Sequence, residues 1–459
     1  MSLSLFARKT VIRWWLVMAA PAVVFGQTNF TPSGPEYPIA GSLPGDQVYA
    51  AAAINANGGY LVWQDNSVNS SGQRIRAKRL DSNFSLFGTN FSVSSVVNSK
   101  TAGNQNKPQV ALLQNGGAVF VWQGGIVRNQ QIHARFLGAK GSFVTADVHV
   151  STHTKYSQSN AQVATLADGS VVIVWSSDGQ DGSMQGVFAR RFSATGKALG
   201  AEFQVNQYTL NNQRTPAVAG LADGNFVVAW VSELQRSLSS IDVYARIFTG
   251  AGLPVASEFP VDTAISNNIC ANPSLAASSQ GGFALAWSQK LGGVQLTPSS
   301  TFDPTGKYYS VTNGTQFTAV QQSTDSWDVY GGLFDSNGVA TVPPMRLNAY
   351  TYGDQYGPRI SALGTNYMAV WTSLSQPDPQ SGVIDPWEGV FGQFITGSGS
   401  LLFANDVHVN TTVAGRQIQP AVASDGASRF LVLWSSAVLS VGRFDFDLLA
   451  QQYLQSGGQ

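Results

Sequence analysis

Seven aromatic residues and five acids gather late in the chain: Tyr308, Tyr309, Trp327, Tyr350, Tyr352, Tyr356 and Trp387, with Asp325, Asp328, Asp354, Asp385 and Glu388. Rings beside carboxylates suit sugar recognition. A ring covers the apolar side of a pyranose, while carboxylates accept its hydroxyl hydrogens. The same residues have plainer uses, in packing a long loop onto itself or in meeting a protein partner. Glycosidic-bond chemistry would need two of these acids in one open pocket about 5–10 Å apart, as acid and base or as acid and nucleophile. Against it, apolar segments such as Val163-Ala-Thr-Leu and Val218-Ala-Gly-Leu carry no acid.

Other chemistry is sparse. The four histidines show no zinc-ligand spacing; His149 and His408 stand in matching Asp-Val-His-Val segments, His133 in a strand and His153 in a loop. Neither Gly-x-Ser-x-Gly nor a phosphate-binding glycine loop occurs. Asp178-Gly-Gln-Asp181-Gly-Ser offers two carboxylates and a permissive glycine, a weak calcium candidate without the further oxygens and distal Glu of an EF-hand. No other metal site and no cofactor are expected.

The elements that would position these residues repeat. A Pro-x-Val-Ala-like segment leads through a Gly-containing turn to an apolar run ending in Trp, then to a Val-Tyr-Ala-Arg-x-Phe-like segment. In the copy that starts at Pro216 these are Asp223-Gly224, Phe226 to Trp230, Val243 to Phe248 and Glu258-Phe-Pro-Val261. The terminal tryptophans are Trp63, Trp122, Trp175, Trp230, Trp287, Trp371 and Trp434. Four short strands per copy predict an all-β fold, a seven-bladed β-propeller of four-stranded blades. Blade cores are expected near 46–95, 105–150, 158–206, 213–262, 270–348, 355–410 and 417–453 plus 36–40. The second strands, as in Phe430-Leu-Val-Leu-Trp434, are apolar on both faces, as strands covered on both sides are. Asp168-Gly169, Asp223-Gly224 and Gly116-Gly117 supply hairpin turns.

The seventh copy ends at its third strand, and Glu36-Tyr-Pro-Ile39 resembles Glu258-Phe-Pro-Val261. The N-terminal segment is therefore expected to complete the last blade and close the ring, hiding sheet edges. Glutamine recurs three residues before the innermost strand as Gln47, Gln105, Gln158, Gln213, Gln355 and Gln417, with Cys270 in the fifth copy. Six amides at a channel mouth would brace loops or face a ligand. The long loops fall on one side of the disc, the largest at Leu291 to Trp327 and another at Leu374 to Trp387.

Composition narrows the setting. Hydrophobic residues make up 43% of the 459, and charged residues only 11%, with 26 Lys plus Arg against 26 Asp plus Glu. That balance gives no field for nucleic acid. Residues 1–26 read as a signal peptide, with Arg8, Lys9 and Arg13 before the apolar stretch from Trp14 to Phe25 and cleavage before Gln27. About 12 apolar residues fall short of the roughly 20 that span a bilayer, so no membrane insertion is expected after cleavage. The mature domain, 27–459, holds one cysteine, so packing alone must stabilise it.

The Asp-Gly-x-x-Val-x-x-Trp repeats, followed by Gly186-Val-Phe-Ala-Arg-Arg-Phe192, resemble tandem units of large extracellular bacterial proteins of the adhesin and RTX-associated kind, over residues 46 to 453. The resemblance implies an exported role and defines no reaction; the nonapeptide calcium repeats of RTX proteins are missing. Glycosidase propellers place their acids on or near the inner strands, which are acid-free here. The expectation is a secreted, extracellular, cell-surface or periplasmic monomer, acting as a non-catalytic binding or adhesion module for a glycan or a surface protein through the fifth and sixth blades. A propeller glycoside hydrolase or polysaccharide lyase, and a structural matrix component, are the alternatives.

Overall fold

The computed structural model describes residues 29–66, 72–85, 95–96, 103–263, 268–291, 300–302, 307–312, 316–321, 326–379, 381–382, 387–440 and 443–456. The candidate signal segment lies outside them. Among the described residues every regular element is a β-strand, and nearly all pairing is antiparallel.

Seven strand groups follow one another. The first pairs Gln47–Asn55, Gly58–Asp65, Arg74–Leu80 and Ser95–Val96 in that order. The second holds Asn104–Leu112, Ala118–Ile126, Asn129–Leu137 and Val148–His149; the third Gln158–Thr165, Val171–Asp178, Gln185–Phe192 and Phe203–Gln204. The fourth runs Gln213–Gly220, Phe226–Glu233, Ile241–Phe248 and Phe259–Pro260, and the fifth Asn268–Ala277, Phe283–Leu291, Asp328–Phe334 and Ala340–Arg346. One parallel pair, Ile241 with Ile269, joins these two into an eight-stranded sheet. The sixth holds Gln355–Leu363, Asn366–Leu374, Glu388–Ile395 and Val407–His408. In the seventh, Gln417–Ser424, Arg429–Ser440 and Arg443–Ser456 are completed by Asn29–Pro32 and Tyr37–Pro38, which both pair with the outer edge of Arg443–Ser456. The long insert of the fifth group forms a three-stranded sheet of its own, Ser300–Phe302, Lys307–Thr312 and Gln316–Gln321. No hydrogen-bonded sheet closes on itself among the described residues.

The groups pack face to face. Each second strand is apolar on both faces because both faces are covered, and all seven repeat tryptophans have 0% exposure. Tyr60 and Val62 of the first group share a core with Phe120 and Trp122 of the second. On the other face, Leu61 and Trp63 pack against Leu431, Leu433 and Leu448 of the seventh. Tight turns at Asp168-Gly169 and Asp223-Gly224 place Gly169 at φ +77 and Gly224 at φ +92, where a side chain would be strained.

Every first strand breaks its register at one equivalent residue, and all seven of these have positive φ: Tyr49 (53), Lys107 (49), Asn160 (54), Thr215 (51), Asn272 (53), Gly357 (66) and Gln419 (57). Proline follows five of them, at Pro108, Pro216, Pro273, Pro358 and Pro420, where the bulge needs no ladder donor. First strands of consecutive groups are neighbours, and Gln47–Asn55 also lies beside Gln417–Ser424.

Candidate functional site

The bulges free backbone donors that tie one group to the one before it. The Lys107 N–H donates to Gln64 Oε1 at 3.3 Å, Asn160 to Gln123 Oε1 at 2.9 Å, Thr215 to Ser176 Oγ at 3.0 Å and Gly357 to Ser288 Oγ at 2.9 Å. Each acceptor is the residue after a repeat tryptophan. Tyr49 of the first group donates to Gln419 Oε1 of the seventh at 3.0 Å.

The recurrent glutamines are buried. Gln213 and Gln355 donate to the Leu210 and Tyr352 carbonyls at 2.8 Å each, Gln47 to Gly45 at 2.5 Å and Gln417 to Gly415 at 3.1 Å. Gln105 and Gln158 accept the indole N–H of Trp122 and Trp175 at 2.9 Å each. In the fifth group, where Cys270 stands in the glutamine position, Gln289 accepts the Trp287 indole at 2.7 Å.

Acidic side chains clamp the loops between groups. Glu202 accepts from Thr152 N–H, Glu258 from Gln207 and Tyr208, and Asp406 from Ala349 and Tyr350, at 2.5 to 3.1 Å. Burial raises the Asp406 carboxyl above the usual range despite these bonds.

In the fifth and sixth groups carboxylates, rings and cations meet. Asp328 and Glu388 are the first residues of equivalent third strands. Asp328 Oδ1 accepts from Asn348 Nδ2 at 2.7 Å; burial raises its pKa, and the charges of Asp354 and Asp406 add to the rise. Glu388 goes the other way. Burial pushes it up, but Arg416, bonded at 2.8 Å and 2.5 Å to its two oxygens, holds it below the usual range. Asp354 Oδ1 accepts the Trp327 N–H at 3.0 Å. Tyr356 is half-buried, its phenol pKa raised by burial and by the charges of Glu388 and Asp354. Lys290 Nζ sits 5.2 Å from the Trp327 ring centre, and Tyr350 and Tyr352 have centroids 5.7 Å apart. Tyr352 is 42% and Trp387 50% exposed, so both present ring surface to solvent.

Of the remaining sequence candidates, Asp325 and Asp385 lie outside the described residues. Tyr308 and Tyr309 fall in the middle strand of the insert sheet. Asp178 accepts from Gln185 Nε2 at 2.7 Å, and Asp181 from the Ser183 N–H at 3.1 Å. Among the described residues no three His, Cys, Asp or Glu side chains converge as metal ligands.

Two features escape sequence reasoning. Arg416, 28 residues from Glu388 in sequence, shows its partner only in the fold. The second is a groove of about 770 Å³ beside the sixth and seventh groups, lined by Phe394, Phe403, Tyr453, Asp378 and His408. There His408 Nδ1 lies 2.8 Å from Asp378 Oδ2, and the imidazole stacks on Phe391 at 4.5 Å. A sequence signal existed, since Asp378 belongs to the second long loop.

No protein-family description matches this chain, and no curated protein matches it. Solved structures do. A polysaccharide lyase is 11% identical over 90% of this chain and 90% of its own, with a TM-score of 0.46. An α-L-arabinofuranosidase of Fusarium graminearum is 11% identical over 81% of this chain and 97% of its own, at 0.45. The α-L-arabinanase of Penicillium chrysogenum, complexed with arabinobiose, is 12% identical over 94% of this chain and 97% of its own, at 0.42. The expectation of a non-catalytic binding or adhesion module is corrected here: these neighbours are named as a lyase, an arabinofuranosidase and an arabinanase. Within the chain itself, two of the acids expected to make passive ligand contact have their pKa values pushed in opposite directions, Asp328 up and Glu388 down. No residue role is carried over from the neighbours.

Proposed function

We propose that this protein is a carbohydrate-active enzyme, a glycoside hydrolase working on the face of the fifth and sixth groups. One observation carries the reading: two carboxyls at equivalent strand starts have their pKa values pushed in opposite directions, Asp328 up and Glu388 down. Two acids whose surroundings push their pKa values apart are what glycosidic cleavage needs. Asp328 is the proton donor to the leaving oxygen. Glu388, kept ionised by Arg416, is the base or nucleophile. Tyr352 and Trp387 offer exposed rings for the apolar faces of sugar units.

The scaffold in this proposal is a seven-bladed propeller whose last blade is completed by the N-terminal strands. Supporting this are the core shared by first and seventh groups and the Tyr49 to Gln419 bond. The protein is exported by its N-terminal segment and acts on a polysaccharide outside the cytoplasm.

The test is a screen of the purified mature protein against plant and algal polysaccharides, reading new reducing ends. Glu388→Gln and Asp328→Asn should each lower the rate by about 10²-fold or more while the melting temperature holds. Product that absorbs in the ultraviolet as an unsaturated sugar would instead assign elimination, a polysaccharide lyase. Full activity in both variants sinks the acid-base assignment.

A further inference from the structure

Each first strand turns through one bulge residue at positive φ, and Gly357 is the one of the seven that carries no side chain. The backbone does not demand this. Asn160 and Asn272 hold the same position at φ 54 and 53 in the third and fifth groups, and Gln419 at 57 in the seventh. Crowding does not demand it either. A Cβ at Gly357 would meet nothing within 4 Å, whereas one at Gly59 would lie 2.1 Å from the Ala53 carbonyl. Gly59 is glycine because a side chain would not fit; at Gly357 the missing side chain leaves an open, half-buried space.

Pairing and hydrogen bonds tie that space to the strands of both proposed acids. In the sixth group the first and third strands run in the same direction, each antiparallel to the second. Gly357, third residue of the first strand, therefore stands at the end of the sheet where Glu388 begins the third. At that end the Leu374 N–H donates to the Asp354 carbonyl at 3.0 Å, and Leu374 pairs with Glu388. Toward the fifth group, the Gly357 N–H donates to Ser288 Oγ at 2.9 Å, and Gln289, the next residue, pairs with Asp328. Those contacts hold the Gly357 main chain within roughly 15 Å of the Asp328 Cα.

We infer that the space at Gly357 is a substrate subsite that takes one sugar unit of a bound polysaccharide, and that the missing side chain decides whether the unit fits. Its place beside the cleaved bond rests on the hydrolase reading; binding of the chain there does not. An amide side chain would add several heavy atoms to a gap where one extra methylene already changes discrimination by about tenfold or more.

Affinity electrophoresis of the mature protein through gels holding arabinan, xylan, pectin or alginate tests the subsite, beside release of reducing ends from the same polymers. The wild type should be retarded by at least one of them. Gly357→Asn, which copies Asn272 and its following proline, should keep the melting temperature within a few degrees and bind that polymer about tenfold more weakly or not at all. Should it fail to fold, Gly357→Gln, a copy of Gln419 before Pro420, takes its place. If neither folds, glycine there is structural and the subsite falls. Thr215→Gly, which empties the same bulge in the fourth group, should bind as the wild type does. Retardation that Gly357→Asn abolishes, with no new reducing ends from the wild type, keeps the subsite and overturns hydrolysis. Cleavage and binding that are equal in wild type and Gly357→Asn keep hydrolysis and overturn the subsite, as does a wild type that no polymer retards.

Discussion

The carboxylate of Glu36, near the start of the chain, accepts the backbone N–H of Thr412, 376 residues away, at 3.1 Å and that of Thr411 at 2.7 Å. Glu258 makes the same pair of bonds to Gln207 and Tyr208 inside the chain. The N-terminal segment thus clamps the sixth group as an outer strand of the seventh would.

Removing that clamp should cost stability without taking away a group of the acid-base pair. Hydrogen bonds to a charged group contribute about 1.5–3 kcal/mol each, less where solvent reaches them as it does here. Glu36→Ala should lower the melting temperature by a few degrees, as Glu258→Ala should, and leave polysaccharide cleavage intact. Thermal unfolding of both variants checks this. A variant with wild-type stability would show the clamp to be dispensable.

The tryptophans supply a sharper stability test. Trp175 is fully buried between two groups and its indole N–H is taken by Gln158. Trp175→Ala opens a cavity between the second and third groups and should cost about 3–5 kcal/mol. Gln158→Ala leaves a buried indole donor unpaired and should cost about 1–3 kcal/mol. In the fifth group that donor is served by Gln289 instead, so Gln289→Ala should behave as Gln158→Ala does. Denaturant unfolding of the three variants orders them.

The lone thiol should be inert. Cys270 is 2% exposed, and burial first, then the charges of Asp242 and Asp262, push its pKa far above the free value. The thiolate is the reactive form, so a thiol reagent should label Cys270 only after denaturation. Rapid labelling of the native protein would contradict its placement.

The tryptophan spacing, the Asp-Gly turns and the likeness of Glu36-Tyr-Pro to Glu258-Phe-Pro are written in residue types, because buried rings, positive-φ turns and a strand-edge clamp each demand a particular chemistry. The bulges are not. Tyr49, Lys107, Asn160, Thr215, Asn272, Gly357 and Gln419 share a backbone conformation but no residue type, and the proline that follows five of them is missing after Tyr49 and Asn160. The late acids and aromatics stand out by composition, but whether an acid is ionised depends on partners distant in sequence. Arg416 beside Glu388 and Asp406 near Asp328 become neighbours only when groups pack.

The pH profile of cleavage follows from those partners. In the proposed roles the active form has Glu388 ionised and Asp328 protonated, so activity should rise as pH climbs through the depressed pKa of Glu388 and fall through the raised pKa of Asp328. Arg416→Gln removes the cation that favours the Glu388 carboxylate. The pKa of Glu388 must then rise, moving the acidic limb to higher pH and narrowing the window from that side alone. Asn348→Ala removes the donor that partly offsets burial at Asp328, so the alkaline limb should move to higher pH while the acidic limb stays. Rate profiles of wild type and the two variants separate these effects. If both variants shifted the same limb, the assignment of base to Glu388 and acid to Asp328 would be wrong.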